Sequence, residues 1–300
     1  MPVLLIFIDG LGIGTRGAHN PLDAPDADLS PLAIFEGEEP ALPFDGRLAP
    51  TDACLGVEGR PQSASGQTTI LTGINAPAAL GVHKQGFPNE RLRAIIRERS
   101  IFLQLKRRGI EPNVFVNAYG DAYFAKRPRW VSATTVAVEA AGMRFRDSAD
   151  LRADEALFHD FTNRLLIASG GSDVPERTPE EAAAILARIA SAHQFTLYEY
   201  FITDRVGHLQ DAAAARRVLI ELARFVRGAL ERIDLRRTTV IVTSDHGNIE
   251  DLSSRTHTLH LVPTLAFGAQ RDLVRARVRS LADIAPTIIG ILASESKRQD

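Results

Sequence analysis

The chain has 300 residues, of which 45% are hydrophobic and 24% charged, and 35 basic against 37 acidic side chains leave a formal charge of −2. That balance excludes a disordered tail or a fibre, and it leaves no global excess of charge to draw a nucleic acid or an anionic membrane. A single cysteine, Cys54, has no partner for an internal disulfide and fits a reducing, cytoplasmic setting.

Val3 to Ile8 is a six-residue apolar run stopped by Asp9. It is too short for a signal-peptide core or a membrane span and reads as a strand buried on both faces. Similar runs follow at Val114 to Val116, Thr196 to Ile202, Thr239 to Thr243 and Val262 to Phe267. Helical patterns separate them, at Asn89 to Arg107, Pro179 to Ala192, Ala212 to Arg232 and Leu281 to Leu292. Strands alternating with helices predict an α/β fold, doubly wound, with a mostly parallel sheet and helices on both faces. Residues 118–194 are less regular, with Lys126, Arg127 and Arg129 beside Trp130. They read as an insertion or small cap, or alternatively as two further core helices, and they divide the core into residues 1–117 and 195–300. The Gly/Ser stretch from Ser169 to Ser172 is too short for an interdomain linker.

The chemistry-bearing residues gather after the apolar runs. Asp9 follows the first run and is succeeded by Gly10, Gly12 and Gly14. Gly12, Gly14 and Gly17 form a formal G-x-G-x-x-G, but Pro21, Pro25 and Pro31 prevent a long helix from opening there, which argues against a dinucleotide site. Asp204 and His208 follow the third run, Asp245 and His246 the fourth, and His257 and His260 precede the fifth. Carboxylate beside imidazole suits Zn²⁺ or Mn²⁺. A solitary Asp-His pair is more often a hydrogen-bonded turn, but several at the ends of strands that one sheet can unite define a candidate metal site. Pro61 to Ile70 is rich in small and hydroxylic residues and reads as a loop entering a helix, where backbone N–H groups favour an anion. Thr68 is well placed there as a nucleophile; the plainer reading is that Ser65 or Thr68 caps the helix.

In this order, Phe7-Ile8-Asp9-Gly10, Gly66-Gln67-Thr68, Asp204 with His208, Asp245-His246-Gly247-Asn248, and His257 before Val262-Pro263 resemble the alkaline phosphatase superfamily. The resemblance is greatest to its cofactor-independent phosphoglycerate mutase and phosphopentomutase branch. It implies an alkaline phosphatase-like core and two divalent metal ions, Mn²⁺ or Zn²⁺. One would be held by Asp204, His208 and His257, with His260 competing for the last role, and the other by Asp9, Asp245, His246 and the Thr68 oxygen. It further implies a phosphothreonine at Thr68, with Thr69 as the alternative, and a small phosphorylated substrate. Apart from the resemblance, Lys84, between Gly81 and Gly86, is a candidate contact for a phosphate oxygen, as are Lys126, Arg127 and Arg129. Water attack on that intermediate gives a phosphatase or phosphodiesterase; attack by a second substrate hydroxyl gives a phosphomutase acting on a sugar phosphate or phosphoglycerate. The mutases rely on a substantial cap and residues 118–194 are few, so a two-metal phosphoester hydrolase is the leading expectation.

Overall fold

Strand β1, Val3–Ile8, sorts its side chains by parity: Leu4, Ile6 and Ile8 enter one hydrophobic cluster and Val3, Leu5 and Phe7 another. A strand apolar on both sides must lie inside a sheet covered on both faces. The computed structural model describes residues 1–170 and 173–299, with side chains to residue 294, so Gly171 and Ser172 of the Gly/Ser stretch lie outside the described residues.

The other strands are β2 (Arg47–Thr51), β3 (Asn113–Phe115), β4 (Phe195–Tyr200), β5 (Thr239–Ser244) and β6 (Val262–Gly268). They form one sheet in the order β2-β6-β5-β1-β4-β3. The β5-β1-β4-β3 portion is parallel, whereas β6 runs antiparallel to β5 and β2 antiparallel to β6. Edge strand β2 was not expected from the sequence, because Arg47-Leu-Ala-Pro-Thr51 is short, not alternating, and carries a proline that only an edge tolerates.

The helices that cover the sheet or carry site residues are α1 (Ser63–Thr72), α2 (Glu90–Arg99), α3 (Ile101–Lys106), α4 (Ala133–Ala140), α5 (Pro179–Ser191), α6 (Ile202–Leu209), α7 (Ala212–Arg232) and α8 (Ile284–Gln299). On one face the apolar stripes of α5 and α7 pack on β1 and β4; on the other lie α1, α2, α3, α4 and α8. Asn89 to Arg107 is two helices rather than one, broken at Ser100, whose extended backbone and hydroxyl cap the second. Within 118–194, α4 contributes to one main cluster and α5 to the other, while Ala118, Leu151, Ala156, Leu166 and Val174 form a smaller cluster of their own.

At the carboxyl end of β4, Glu199 lies in register with Phe7 of β1. The Asn117 side chain continues the ladder beyond β3, donating to the Glu199 carbonyl at 2.7 Å and accepting from its amide at 2.9 Å. Burial of the Glu199 carboxyl, against a hydrogen bond from Thr134 and with added repulsion from Asp9, pushes its pKa up to about 8. An acid whose pKa is raised by folding stabilises the native state fully below its unfolded pKa, and that contribution is lost as pH rises through the folded value. Relative to Glu199→Gln, the wild-type protein should therefore lose stability from about pH 5 to pH 8, at up to ~1.4 kcal/mol per pH unit. Urea unfolding curves that shift equally with pH in both proteins would contradict this.

Candidate metal centre

The carboxyl ends of β1, β4 and β5 converge on one edge of the sheet, where ligands bind in open α/β folds. Asp9 leaves β1 buried. Gly10 follows at φ +74°, and a Cβ there would stand 2.8 Å from the Cβ of Asp204, so only glycine lets this loop close on α6. The Thr203 hydroxyl ties the two by donating to the Asp9 carbonyl. Asp204 sits in the first turn of α6 and His208 one turn later, on the same helix face, with 3.4 Å between His208 Nε2 and Asp204 Oδ2. The expected strand Thr196 to Ile202 ends at Tyr200, so this pair rides on a helix rather than a loop.

From the loop after β5, His246 Nε2 reaches to 3.2 Å from Asp9 Oδ1 and 3.6 Å from Asp245 Oδ2. The His257 ring stacks on that of His246 at 3.6 Å, and its Nε2 lies 3.2 Å from His208 Nε2 and 3.4 Å from Asp204 Oδ1. The donor atoms of Asp204, His208 and His257, and those of Asp9, Asp204 and His246, each fall within 4.8 Å of one another. The Pro61 carbonyl lies 2.8 Å from His257 Nδ1 and the Arg255 carbonyl 2.9 Å from His208 Nδ1. A proton on each Nδ1 leaves the Nε2 lone pair facing the cluster, as metal-binding histidines are held.

A divalent cation suits this donor set. Asp9 Oδ1 is buried with no hydrogen bond aimed at it, although His246 Nε2 is only 3.2 Å away. Both atoms face a common point. Burial holds Asp9 and Asp245 above the ordinary carboxylate range. Burial also opposes charge on His246, yet Asp245, Asp9 and Asp204 outweigh it and push its pKa up to about 10. The described cluster thus balances concentrated negative charge with a proton, the role a cation takes over in a nitrogen and oxygen site.

Helix α1 adds a hydroxyl, though not the expected one. Its first residue, Ser63, places Oγ 3.0 Å from His246 Nε2. One turn on, Gln67 Nε2 donates to Asp9 Oδ2 at 3.2 Å and Asp245 Oδ2 at 3.3 Å. Gly66 packs against Asp245, whose Cβ would be 3.0 Å from a Cβ at that position. Thr68, expected as nucleophile and ligand, is not brought to the cluster: fully buried, its hydroxyl turns back along the helix and donates to the Ala64 carbonyl at 2.6 Å. Thr69 does the same to Ser65 at 2.9 Å. The other six expected ligands, Asp9, Asp204, His208, Asp245, His246 and His257, do converge. Lys84 Nζ donates to the neighbouring Gln85 carbonyl, while its backbone amide meets Ser65 Oγ on α1.

Two supporting residues were missed in the sequence. The fully buried Glu250 accepts from the amides of Gly12 (2.8 Å) and Asn248 (2.7 Å) and from the Thr258 hydroxyl (2.6 Å), and it lies 3.1 Å from His260 Nδ1. One carboxylate therefore pins the Asp9, His246 and His257 loops together and engages His260 away from the cluster. It also takes the Gly12 amide that a pyrophosphate would need. Asn248 donates to the Asp204 carboxylate at 2.6 Å. Their signal was the run Asp245-His-Gly-Asn-Ile-Glu250, in which two further polar residues continue past the ligands. Glu250→Gln should keep the fold and weaken divalent-metal affinity by roughly 10- to 100-fold. Calorimetric titration giving unchanged affinity would remove Glu250 from this role.

Fold and site together resemble those of α/β metalloenzymes of the alkaline phosphatase superfamily. Residues 157–296 match the family model described as Metalloenzyme superfamily, a stretch that carries five of the six converging ligands. The 2,3-bisphosphoglycerate-independent phosphoglycerate mutase of Dinoroseobacter shibae is 31% identical over 126 residues, covering 39% of this chain and 25% of that protein. The enzyme of the same name from Desulforudis audaxviator is 32% identical over 141 residues, 43% of this chain and 28% of that protein. The match thus spans about a quarter of the length of these curated relatives. Among solved structures, the PH0037 protein of Pyrococcus horikoshii aligns over 97% of this chain and 96% of its own, with TM-score 0.56 and 16% identity. The cold-active alkaline phosphatase of a psychrophilic Shewanella aligns over 97% and 100%, with TM-score 0.53 and 13% identity. No described helix is long and apolar enough to cross a membrane.

Proposed function

We propose that the chain is a two-metal phosphoester hydrolase, a phosphatase or phosphodiesterase, that works on a small phosphorylated substrate through a phosphoserine at Ser63. The observation that carries this reading is the Ser63 hydroxyl, 3.0 Å from His246 Nε2 at the start of α1. Asp204, His208 and His257 would hold one Mn²⁺ or Zn²⁺ ion, and Asp9, Asp245, His246 and the Ser63 oxygen the other. Bound cations at these positions lower the pKa of the hydroxyl and neutralise charge on the phosphoryl oxygens.

The residues of the chain do the positioning. Ser63 is fixed by the first turn of α1, and Gln67, bound to Asp9 and Asp245, sets the rotation of that helix against the ligands. The amides of Ser63 and Ala64 open α1 with no partner among the described residues, which suits them to donate to a phosphoryl oxygen. Ser63 Oγ gives its proton to water and attacks phosphorus in line, the P–O bond to the substrate alcohol breaks, and the departing oxygen takes a proton from water. A water then attacks the phosphoserine, releasing phosphate and restoring the hydroxyl. The side chain of His208 is 38% exposed, so the cluster has a solvent-facing side from which water arrives. Arg60 adds a cation at the rim, donating to the His257 carbonyl at 2.6 Å, and Lys84 is a second candidate for the substrate's charge. The lone thiol of Cys54 is consistent with a cytoplasmic protein.

Phosphomutase chemistry on a sugar phosphate or phosphoglycerate is the second reading. The names of the curated relatives favour it. Ser63→Ala should lower turnover roughly 10³-fold or more, and Thr68→Val should leave it within a few fold. Mass spectrometry should find the trapped phosphate on Ser63; phosphate on Thr68, or near-normal turnover in Ser63→Ala, would overturn the assignment. Free phosphate among the products supports the hydrolase, and isomerised ester without free phosphate supports the mutase.

A further inference from the structure

Next to the metal centre, at the carboxyl ends of β3 and β4, lies a cavity of about 290 Å³. Its size is at the lower end of the ~300–1,000 Å³ typical of small-ligand sites. Aromatic rings form about half of its wall, including Phe87, Tyr119, Trp130 and Phe201, and three of these are large apolar side chains left open to solvent: Phe87 at 49%, Trp130 at 54% and Phe201 at 37%. Half-exposed rings gathered around one concavity mark a recognition surface rather than core packing.

Two chain segments tie this cavity to the reacting centre. Phe201 follows β4 and caps the start of α6, three residues ahead of Asp204, and Glu199 reaches the cavity from the strand beside β1. On the other side, Phe87 closes a loop whose Lys84 amide and carbonyl bond the Ser65 side chain and amide, in the same turn of α1 as Ser63. The lining also discriminates by charge. It contains no lysine or arginine, and its one carboxyl group is Glu199. A carboxylate substrate such as phosphoglycerate would find no countercharge among these lining residues.

We propose that this cavity receives a planar aromatic ring of the alcohol esterified to phosphate, so that the substrate is a small aromatic phosphoester. The proposal rests on the phosphoryl-transfer reading of the metal centre. The rings stack on the guest, and the buried carboxyl group of Glu199, which lines the cavity, offers a hydrogen bond to a substituent on it. Glu199, with its pKa near 8, is available as a donor at neutral pH. His159, stacked on Phe201 at 4.3 Å and held neutral by burial, keeps the wall uncharged.

Trp130 is the only tryptophan, so its fluorescence reports occupancy without any turnover. Metal-loaded protein would be titrated with 4-nitrobenzylphosphonate, whose C–P bond cannot be hydrolysed, and with methylphosphonate as the ringless control. Saturable quenching by the nitrobenzyl compound alone is expected, weakened about tenfold or more in Phe87→Ala, where one ring of the wall is removed. In the same variant kcat/KM for 4-nitrophenyl phosphate should fall by a similar factor while that for glycerol 1-phosphate holds. Equal binding of both phosphonates, or quenching unchanged by Phe87→Ala, overturns the proposal whatever the turnover. Ring-dependent quenching without release of phosphate from any ester leaves the cavity assignment standing and removes the phosphoryl-transfer reading instead.

Discussion

Three aspartates, Asp9, Asp204 and Asp245, are drawn together at one edge of a sheet with two of them almost wholly buried, and among the described residues no lysine or arginine pairs with them. Burying carboxylates without a countercharge is costly enough that a protein either protonates them or supplies cations. Imidazoles supply the partners here: His246 between Asp9 and Asp245, His257 against Asp204, and His208 at the open side. The rest of the architecture follows from that requirement. Parallel strands put their carboxyl ends on one edge, and three different strands each deliver a ligand there.

Stability and chemistry pull against each other at such an edge, and the surrounding hydrogen bonds show how the fold contains the conflict. Glu250 satisfies loop amides that have no strand to pair with, Asn248 and Gln67 hold the carboxylates by their oxygens, and main-chain carbonyls fix the tautomers of His208 and His257. These contacts orient the donor atoms toward one another.

The strand-end carboxylates and imidazoles were legible as a cluster because their cause is local. A buried apolar strand cannot continue through Asp9 or Asp245, so the polar residue after the run marks the sheet edge. Which hydroxyl faces the cluster was not legible, for a rotational reason. Pro61 to Thr72 offers several hydroxyls, and which one faces the ligands depends on the phase of α1. Ser63 and Gln67 are four residues apart and share a face; Thr68 is turned about 100° from Gln67. Small-residue spacing announced a helix but not its rotation, which is set by Gly66 lying against Asp245, a contact far away in sequence. Glu250 escaped notice because its partners, Gly12, Thr258 and His260, come from separate loops, and β2 because its pairing depends on β6 rather than on its own residues.

Anomalous diffraction from crystals grown with Mn²⁺ or Zn²⁺ tests the central claim most directly, since it locates each ion and its ligands without reference to turnover. The account predicts two peaks: one among Asp204, His208 and His257, the other among Asp9, Asp245 and His246 with the Ser63 oxygen in its coordination sphere. A single peak, a site built on His260 in place of His257, or a second ion coordinated by Thr68 rather than Ser63 would contradict it.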